Sequence, residues 1–281
     1  MAPQDAVDGW NEHYNAEAYA RFTQQYPMYS ATSRDLVHRA GLGDARLVVD
    51  LCGGTGSTTE AILTAAPRAR VISLDAAAAM QAVGRRVLTD ARVIWITAAA
   101  EDIARHLDEP ADAVVCNSAI WKTDTVATFT AVRTILRPGG RFAFNVGGGF
   151  ADVTHPDEQA ARTGPTLNQL INDIAARDHG HTPTAGSTGR AALTPGLVRE
   201  QLHAAGFTAV DTAVTAHRGT MAEKHAWLSI PLFARPEGLT HAQRMDVLAK
   251  AYRQVDPAQT VVTSWLVVTA QTPDEEHRAT H

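Results

Sequence analysis

The chain has 281 residues, a formal net charge of −5 at pH 7 and two cysteines. The acidic balance disfavours a nucleic-acid partner, which would call for a basic face, and no apolar run approaches the length of a membrane span. Because the N-terminus lacks the basic-then-apolar order of a secretory signal, we predict a cytoplasmic protein with neither a nucleic-acid nor a membrane partner. The length is enough for one large core, or one core with a cap.

The first strong signal is an apolar run that ends at an acid and passes into small residues, Leu-Val-Val-Asp-Leu-Cys-Gly-Gly-Thr-Gly at 47–56. Such a run predicts a buried strand and a tight turn, since glycine permits positive φ and lets a ligand approach the backbone. A helix beginning near Ser57 would direct its free N–H groups at that ligand. A dinucleotide site expects G-x-G-x-x-G, and Ser-Thr-Thr follows Gly56 instead, which disfavours an NAD(P) oxidoreductase.

A second apolar run, residues 70–74, ends at Asp75, nineteen residues beyond Gly56. An acid at about this distance, at the tip of the second strand, is placed to accept hydrogen bonds from ribose hydroxyls. The position therefore indicates a nucleoside ligand without deciding which one.

Further strands are predicted at 92–96, 113–116 and 141–146, and two late ones at 209–216 and 261–270. Leu-Arg-Pro-Gly-Gly precedes the fifth strand, where proline would end a helix and the glycines would turn the chain back into the sheet. Helices are predicted at 167–176, 195–205, 220–228 and 241–252. The alternation of strands and helices indicates a mostly parallel sheet.

These segments resemble the motifs of class I S-adenosylmethionine (SAM) dependent methyltransferases of the small-molecule type. Residues 50–56 are similar to the family's D-x-G-x-G-T-G, with Cys52 in place of the first glycine, and residues 75–80 are similar to its D-x-S-x-x-M. The resemblance is close over 47–146 and covers the rest in outline. It implies an α/β fold, a Rossmann-like doubly wound seven-stranded mostly parallel sheet with an α-helical cap. It also implies SAM as the cofactor, with S-adenosylhomocysteine (SAH) as product, bound by Tyr29, Cys52, Gly53, Gly54, Gly56, Asp75, Ala76, Met80, Ala100, Glu101 and Asn117.

The resemblance further divides the chain into four segments of a single domain. Residues 1–40 would form an N-terminal helical lid, and residues 41–146 the SAM-binding Rossmann-like core. Residues 147–195 would be an insertion of loop and helix, with a loop at 184–189. Residues 196–281 would supply the late strands and the capping helices that complete the domain.

The acceptor is predicted to be a small molecule methylated on N or O, in secondary metabolism. We expect Tyr14 and Trp121 to line its pocket. His225 and His155 are the candidates for a general base, which a hydroxyl acceptor would need and a neutral amine would not. C-methylation stays open, as does a SAM-binding protein of this fold with a non-methylating reaction such as cyclisation. The oligomeric state stays open as well.

The two cysteines, Cys52 and Cys116, end the first and fourth predicted strands, which are neighbours in the sheet of this family. A cytosolic pair stays reduced, and two thiolates alone do not satisfy zinc. We therefore expect small apolar filler beside the cofactor rather than a disulfide, and no metal site.

Overall fold

A computed structural model describes residues 9–162, 164–182 and 191–274, so the loop predicted at 184–189 lies outside the described residues. The described chain forms one sheet of seven strands in the order β3-β2-β1-β4-β5-β7-β6. The strands are β1 (Leu47–Leu51), β2 (Arg70–Asp75), β3 (Val93–Thr97), β4 (Ala111–Cys116), β5 (Leu136–Gly147), β6 (Ala209–Thr220) and β7 (Thr260–Gln271).

The first five strands are parallel, and β7 runs antiparallel between β5 and β6. This is the predicted mostly parallel, doubly wound sheet. Strand β1 is buried along its whole length, as expected for a parallel strand covered on both faces. Because β1 pairs with β2 on one side and β4 on the other, the strand order reverses between β1 and β4. In open α/β sheets ligands bind at that reversal, beyond the carboxyl ends of the strands.

Helices connect the strands and cover both faces of the sheet. They are α1 (His13–Gln25), α2 (Met28–Ala40), α3 (Ser57–Ala65), α4 (Ala78–Val87), α5 (Thr125–Ile135), α6 (Gly148–Ala151), α7 (Pro156–Ala161), α8 (Leu167–His179), α9 (Pro195–Ala204), α10 (Met221–Leu228) and α11 (His241–Tyr252). Short 3-10 helices lie at Ala100–Arg105, Ile120–Lys122 and Pro231–Phe233. Among the described helices, none is long and apolar enough to cross a membrane.

Two apolar clusters hold the layers together. On one face of the sheet Phe129 of α5 packs among Phe142 and Phe144 of β5, and all three are fully buried. On the other face Leu36 of α2 and Ile62 of α3 pack with the inner residues of the sheet. The core therefore lies on both sides of β1, β4 and β5, and it fixes the strand tips that carry the predicted site.

The predicted helical cap has a core of its own. Helices α8, α10 and α11 enclose a separate apolar cluster that includes Ile171, Leu228 and Leu248. At the other end, Ala16 and Ala20 of α1 pack against Met80 and Val83 of α4. The cap and α1 thus approach the carboxyl edge of the sheet from two sides. The four segment boundaries themselves stay predictions.

Cys52 and Cys116 are free thiols, and they follow neighbouring strands as predicted. The hydrogen bond between the two side chains, together with burial, raises the pKa of the Cys52 thiol well above its ordinary value. The Cys52 thiol therefore stays protonated at neutral pH and behaves as a small apolar side chain.

Candidate active site

A cavity of about 710 Å³ opens at the carboxyl edge of the sheet, where the strand order reverses. Its lining comes from the loops after β1, β2, β3 and β4, from residues 10–29 at the N-terminus, and from residues 227–244 of the cap. This volume lies within the range of small-molecule and cofactor pockets. The lining includes Tyr29, Cys52, Gly53, Gly54, Asp75, Ala76, Met80, Ala100, Glu101, Asn117 and Trp121.

The turn after β1 has a conformation that favours small residues. Gly54 has φ of 55° and Cys52 has φ of 58°, so both occupy the left-handed region. A Cβ on Gly53 would collide with the Ser73 hydroxyl and with the Asp50 carboxylate 2.8 Å away. The chain departs from the family's usual glycine at Cys52, which accepts a strained backbone at that position.

Asp75 fastens this turn to the end of β2. Its Oδ2 accepts the Gly54 N–H at 2.9 Å, and its Oδ1 accepts the Ala77 N–H at 2.8 Å. Burial raises the pKa of Asp75, and the two amides and the nearby Lys122 ammonium counteract that shift. Each oxygen retains a lone pair, so the carboxylate can still accept hydroxyl hydrogen bonds from the cavity.

Asn117, directly after β4, carries an unpartnered acceptor. Its Nδ2 donates to the Tyr29 carbonyl at 3.2 Å, to Thr32 Oγ1 at 3.2 Å and to Ser33 Oγ at 2.8 Å, all on α2. These bonds fix the amide, and its buried Oδ1 has no partner among the described residues. A buried acceptor without a partner costs free energy, which a hydrogen-bond donor of a bound ligand would relieve.

Tyr29 spans from α2 to the cap. Its hydroxyl accepts from Trp227 Nε1 at 3.0 Å. Burial raises its pKa to about 12, although the hydrogen bonds with Trp227 and Ser118 oppose the shift. Tyr29 is therefore a neutral hydroxyl at the cavity wall and not a base at physiological pH.

Under the turn, Asp50 lies almost fully buried at the end of β1. Its Oδ2 accepts from Thr59 Oγ1 at 2.6 Å, while Oδ1 has no partner among the described residues. Burial raises the pKa of Asp50 to about 7, against the effect of the Thr59 hydrogen bonds. Asp50 is thus half-protonated near neutral pH.

At the β3 side of the cavity, the Glu101 side chain is engaged with the protein. Its Oε1 accepts the N–H of Asp124 at 2.7 Å, which ties the 3-10 helix after β3 to the start of α5. Met80, which also lines the cavity, is nearly buried, and its Cε lies 3.1 Å from the position of a Cβ on Gly54. Met80 therefore adds an apolar side chain to the lining beside the glycine turn.

The other end of the cavity is aromatic and cationic. Trp121 stacks on Phe150 with centroids 3.8 Å apart, and the Lys122 ammonium lies 4.4 Å from the Trp10 ring centroid. Burial lowers the pKa of Lys122, while the nearby Asp75 carboxylate opposes that shift. The cap adds two guanidinium groups, Arg235 and Arg244. Sequence reasoning missed all three cations, because no motif marks them.

Four of the predicted site residues do not line this cavity. Gly56 directly precedes α3 with φ of 93°, and a Cβ there would lie 2.9 Å from the Trp95 ring, so its missing side chain makes room for that ring. Tyr14 is 58% exposed on the outer face of α1. His225 stacks on Tyr252 at 3.9 Å within the cap.

The fourth, His155, precedes α7, where its Nδ1 accepts the N–H of Asp157 at 3.1 Å. Capping a helix occupies the nitrogen that a general base would use. Neither predicted histidine base is therefore brought to the cavity. Within the ranges described, no group of three or more His, Cys, Asp or Glu side chains could hold a metal ion.

These residues fit SAM. Gly54 lines the cavity with a left-handed φ and no side chain, so a ligand can pass close to the backbone, and Asp75 offers lone pairs to ribose hydroxyls. Asn117, whose Oδ1 has no partner among the described residues, lines the same cavity.

Several known proteins are similar in sequence to this chain. A family profile described as "Methyltransferase domain" matches residues 48–140. A trans-aconitate 2-methyltransferase of Methylobacterium radiotolerans is 30% identical over 215 residues, which cover 76% of each chain. A second protein of that name, from an Azoarcus species, is 29% identical over 143 residues. That match spans about half of both chains, 50% of this one and 54% of the relative.

Solved structures agree on the fold. A methyltransferase candidate from Bacillus halodurans superposes with a TM-score of 0.54 at 16% identity, over 86% of this chain and 99% of the other. The YcgJ protein of Bacillus subtilis superposes with a TM-score of 0.53 at 15% identity, over 86% and 98%. With the motifs, the sheet order and the 30% identical relative, these findings lead to one conclusion: the chain belongs to the class I SAM-dependent methyltransferases.

Proposed function

We propose that this methyltransferase transfers the methyl group of SAM to a carboxylate oxygen of a small polycarboxylate, the chemical class of trans-aconitate. The observation that carries the proposal is the presence of Lys122, Arg235 and Arg244 in the lining of one cavity. The names of the relatives, trans-aconitate 2-methyltransferases, support it independently. Secondary metabolism and cytoplasmic location stay predictions.

The cations are held in ways that suit an anionic ligand. Arg244 donates its Nε to the Leu239 carbonyl at 2.8 Å and its Nη1 to the Ala234 carbonyl at 3.4 Å, which fixes the guanidinium plane. A guanidinium has five N–H donors, so others are available for a carboxylate. Arg235 lies at the exposed rim, paired with Glu237.

Lys122 extends the cationic side inward. Its ammonium lies over the ring of Trp10 and 5.4 Å from the centroid of Trp121. Two aromatic faces hold a lysine by cation–π attraction and leave it able to bind a carboxylate. Of the acids in the lining, Glu101 accepts the N–H of Asp124 and Glu237 pairs with Arg235, while Asp75 lies near enough to Lys122 to affect its pKa.

A carboxylate acceptor also suits a cavity without a base. Among the described residues that line it, none is a histidine, and Tyr29 stays protonated. SAM supplies a methyl group activated by its sulfonium, and the sulfur leaves with the bonding electrons as neutral SAH. A carboxylate is ionised at pH 7, so its oxygen forms the new C–O bond without a proton transfer. The protein's part is to align the acceptor, exclude water and neutralise the remaining carboxylates.

Transfer to nitrogen or carbon is the second candidate for this cavity. A neutral amine would also need no base, but it would bring no carboxylate to the Arg244 guanidinium or the Lys122 ammonium in the cavity lining. A cyclising or other non-methylating reaction would consume SAM without a methylated acceptor. Both are outcomes of the test that follows.

The test is a series of acceptors with three, two and one carboxylates, beginning with trans-aconitate, assayed for SAH release. We expect kcat/KM to fall with each carboxylate removed. Arg244→Met should lower kcat/KM for the tricarboxylate roughly 10- to 100-fold, the effect of one charged hydrogen bond. The matched control is Arg68→Met, because Arg68 pairs with Asp44 on the surface outside the cavity. Equal rates for carboxylates and their neutral amides would contradict the proposal.

A further inference from the structure

A buried carboxylate lies outside the cavity, at the junction of the cap and α2. Glu223 of α10 is 5% exposed, and its Oε2 lies 3.1 Å from Nε2 of His217, near the end of β6. Its Oε1 accepts the N–H of Met28 at 3.0 Å. A charged group this deeply buried costs free energy unless it is paired and hydrogen-bonded, so its position calls for a reason.

The Met28 N–H is the first of α2. The first N–H groups of a helix have no partner within the helix, and the positive end of the helix dipole favours a carboxylate there. The neighbouring Pro27 provides no side-chain cap. Glu223 therefore supplies, from the cap, the anchor that the local sequence of α2 lacks.

The same face of α10 makes a second contact with the start of α2. Trp227 follows Glu223 by four residues, one helical turn, and its Nε1 donates to the Tyr29 hydroxyl at 3.0 Å. Glu223 and Trp227 of α10 thus each hold one of the first two residues of α2, Met28 and Tyr29. Both contacts set where α2 begins relative to the cap.

Helix α2 in turn sets the donor side of the cavity. The Tyr29 carbonyl, Thr32 Oγ1 and Ser33 Oγ all accept from Asn117 Nδ2, which directs the unpartnered Asn117 Oδ1. Ser33 also hydrogen-bonds Thr58 of α3 at 2.9 Å, beside the glycine turn. A shift of α2 would disturb Asn117, Tyr29 and the turn together.

We infer that Glu223 is a positioning residue for SAM binding: it fixes the start of α2 against the cap and thereby places Tyr29 and Asn117 at the donor site. It acts through α2 and does not line the cavity. Gly219 is part of the same arrangement, because a Cβ at that position would overlap Glu223 Oε2. The inference concerns the donor alone and holds whatever the acceptor.

The experiment measures the SAH affinity of the full chain at 20 °C by calorimetry, with the melting temperature beside it. Glu223→Ala should weaken SAH binding about ten-fold or more, since the Met28 N–H loses its charged partner. Glu223→Gln should return the affinity to within about three-fold of wild type, because its amide oxygen still accepts from Met28. The indole N–H resonance of Trp227, assigned with Trp227→Phe, should shift in Glu223→Ala.

The matched control is Asp90→Ala. Asp90 also accepts a backbone N–H, that of Arg92, but it does not line the cavity and belongs to the segment between α4 and β3. It should change stability and leave both the SAH affinity and the Trp227 resonance as in wild type. A purely structural Glu223 would behave in the same way, and that result for Glu223→Ala would overturn the inference.

If Glu223→Ala does not fold, the Gly219→Ala variant tests the inference instead. Its new methyl group pushes the carboxylate away from Met28 without removing it. Weakened SAH binding in folded Gly219→Ala supports the inference, and unchanged affinity overturns it.

Discussion

Asp75 does two tasks with one carboxylate. It holds the glycine turn and the start of α4 through backbone amides, and it faces the cavity. Its position could be predicted from the sequence because an acid at a strand tip, nineteen residues after a glycine turn, has few structural alternatives. The two backbone amides that donate to Asp75 could not be predicted, since they depend on how the turn folds back over β2.

We predict that Asp75→Ala weakens SAM binding by roughly 1–3 kcal/mol, the cost of losing a charged hydrogen-bond partner. Calorimetric titration with SAM measures this. Asp90→Ala is the control, because Asp90 also accepts a backbone N–H, that of Arg92, but does not line the cavity. An unchanged dissociation constant for Asp75→Ala would remove the ribose assignment.

Gly56 shows a limit of prediction from single residues. The motif predicts that Gly56 contacts the donor. In the structure Gly56 has a left-handed φ just before α3 and lies against the Trp95 ring. Trp95 lies on β3, nearly forty residues away, and no local spacing connects the two. Positive φ could be predicted here, but not the group that occupies the space.

Asp50 gives a pH-dependent prediction. Burial raises its pKa to about 7, above the value near 3.9 of an unfolded aspartate. The folded state therefore binds the proton more tightly, and stability from this group is full below about pH 4 and is lost as pH rises to about 7. Between pH 5.5 and 8 the loss should be roughly 2 kcal/mol. Urea unfolding at both pH values measures it.

Asp50→Asn removes the titration and keeps the shape, so its stability should vary less between the same two pH values. The difference between wild type and variant isolates Asp50 from other titrating groups. If both proteins show the same change with pH, Asp50 is already ionised in the folded state at pH 5.5. Other interactions must then offset the free-energy cost of burying its charge.

At the scale of elements, hydrophobic runs and turn residues predicted most of the sheet. Helix α11 has the predicted bounds, and Thr194 caps α9 with Pro195 in its first turn. Strand β5 differs, because it begins at Leu136, where a turn was predicted. Leu136 pairs with Ala111 across a register shift, and such pairing is a tertiary contact that local sequence does not reveal.

The prediction at this scale concerns Trp121, in the segment after β4. It stacks on Phe150 and donates its Nε1 to the Ser118 carbonyl at 3.2 Å, half-buried at the cavity wall. Trp121→Ala should raise the acceptor KM or lower kcat, with SAM affinity and melting temperature near wild type. Steady-state kinetics and thermal unfolding separate these effects.

Phe207→Ala provides the comparison for Trp121, because Phe207 is a core residue, 2% exposed. It should cost about 3–5 kcal/mol of stability with KM unchanged. If Trp121→Ala instead behaves like Phe207→Ala and mainly unfolds the protein, other residues must bound the acceptor.

At the scale of the whole molecule, the reversal of strand order at β1 and β4 places the cavity, and the family resemblance implied that these two strands are neighbours. The cationic side was beyond prediction. Lys122 follows β4, while Arg235 and Arg244 come from the cap more than a hundred residues later. Side chains that meet only when the cap closes over the sheet share no periodicity or spacing.

The central claim is methyl transfer to a carboxylate oxygen, and the product tests it most directly. The enzyme is incubated with SAM labelled in its methyl group and with the best carboxylate of the acceptor series, and the labelled product is treated with mild base. A methyl ester hydrolyses and releases the label as methanol, which is the result we predict, in equal amount to the SAH formed. Label that resists base, as on nitrogen or carbon, or SAH formed with no label in the acceptor, would contradict the account.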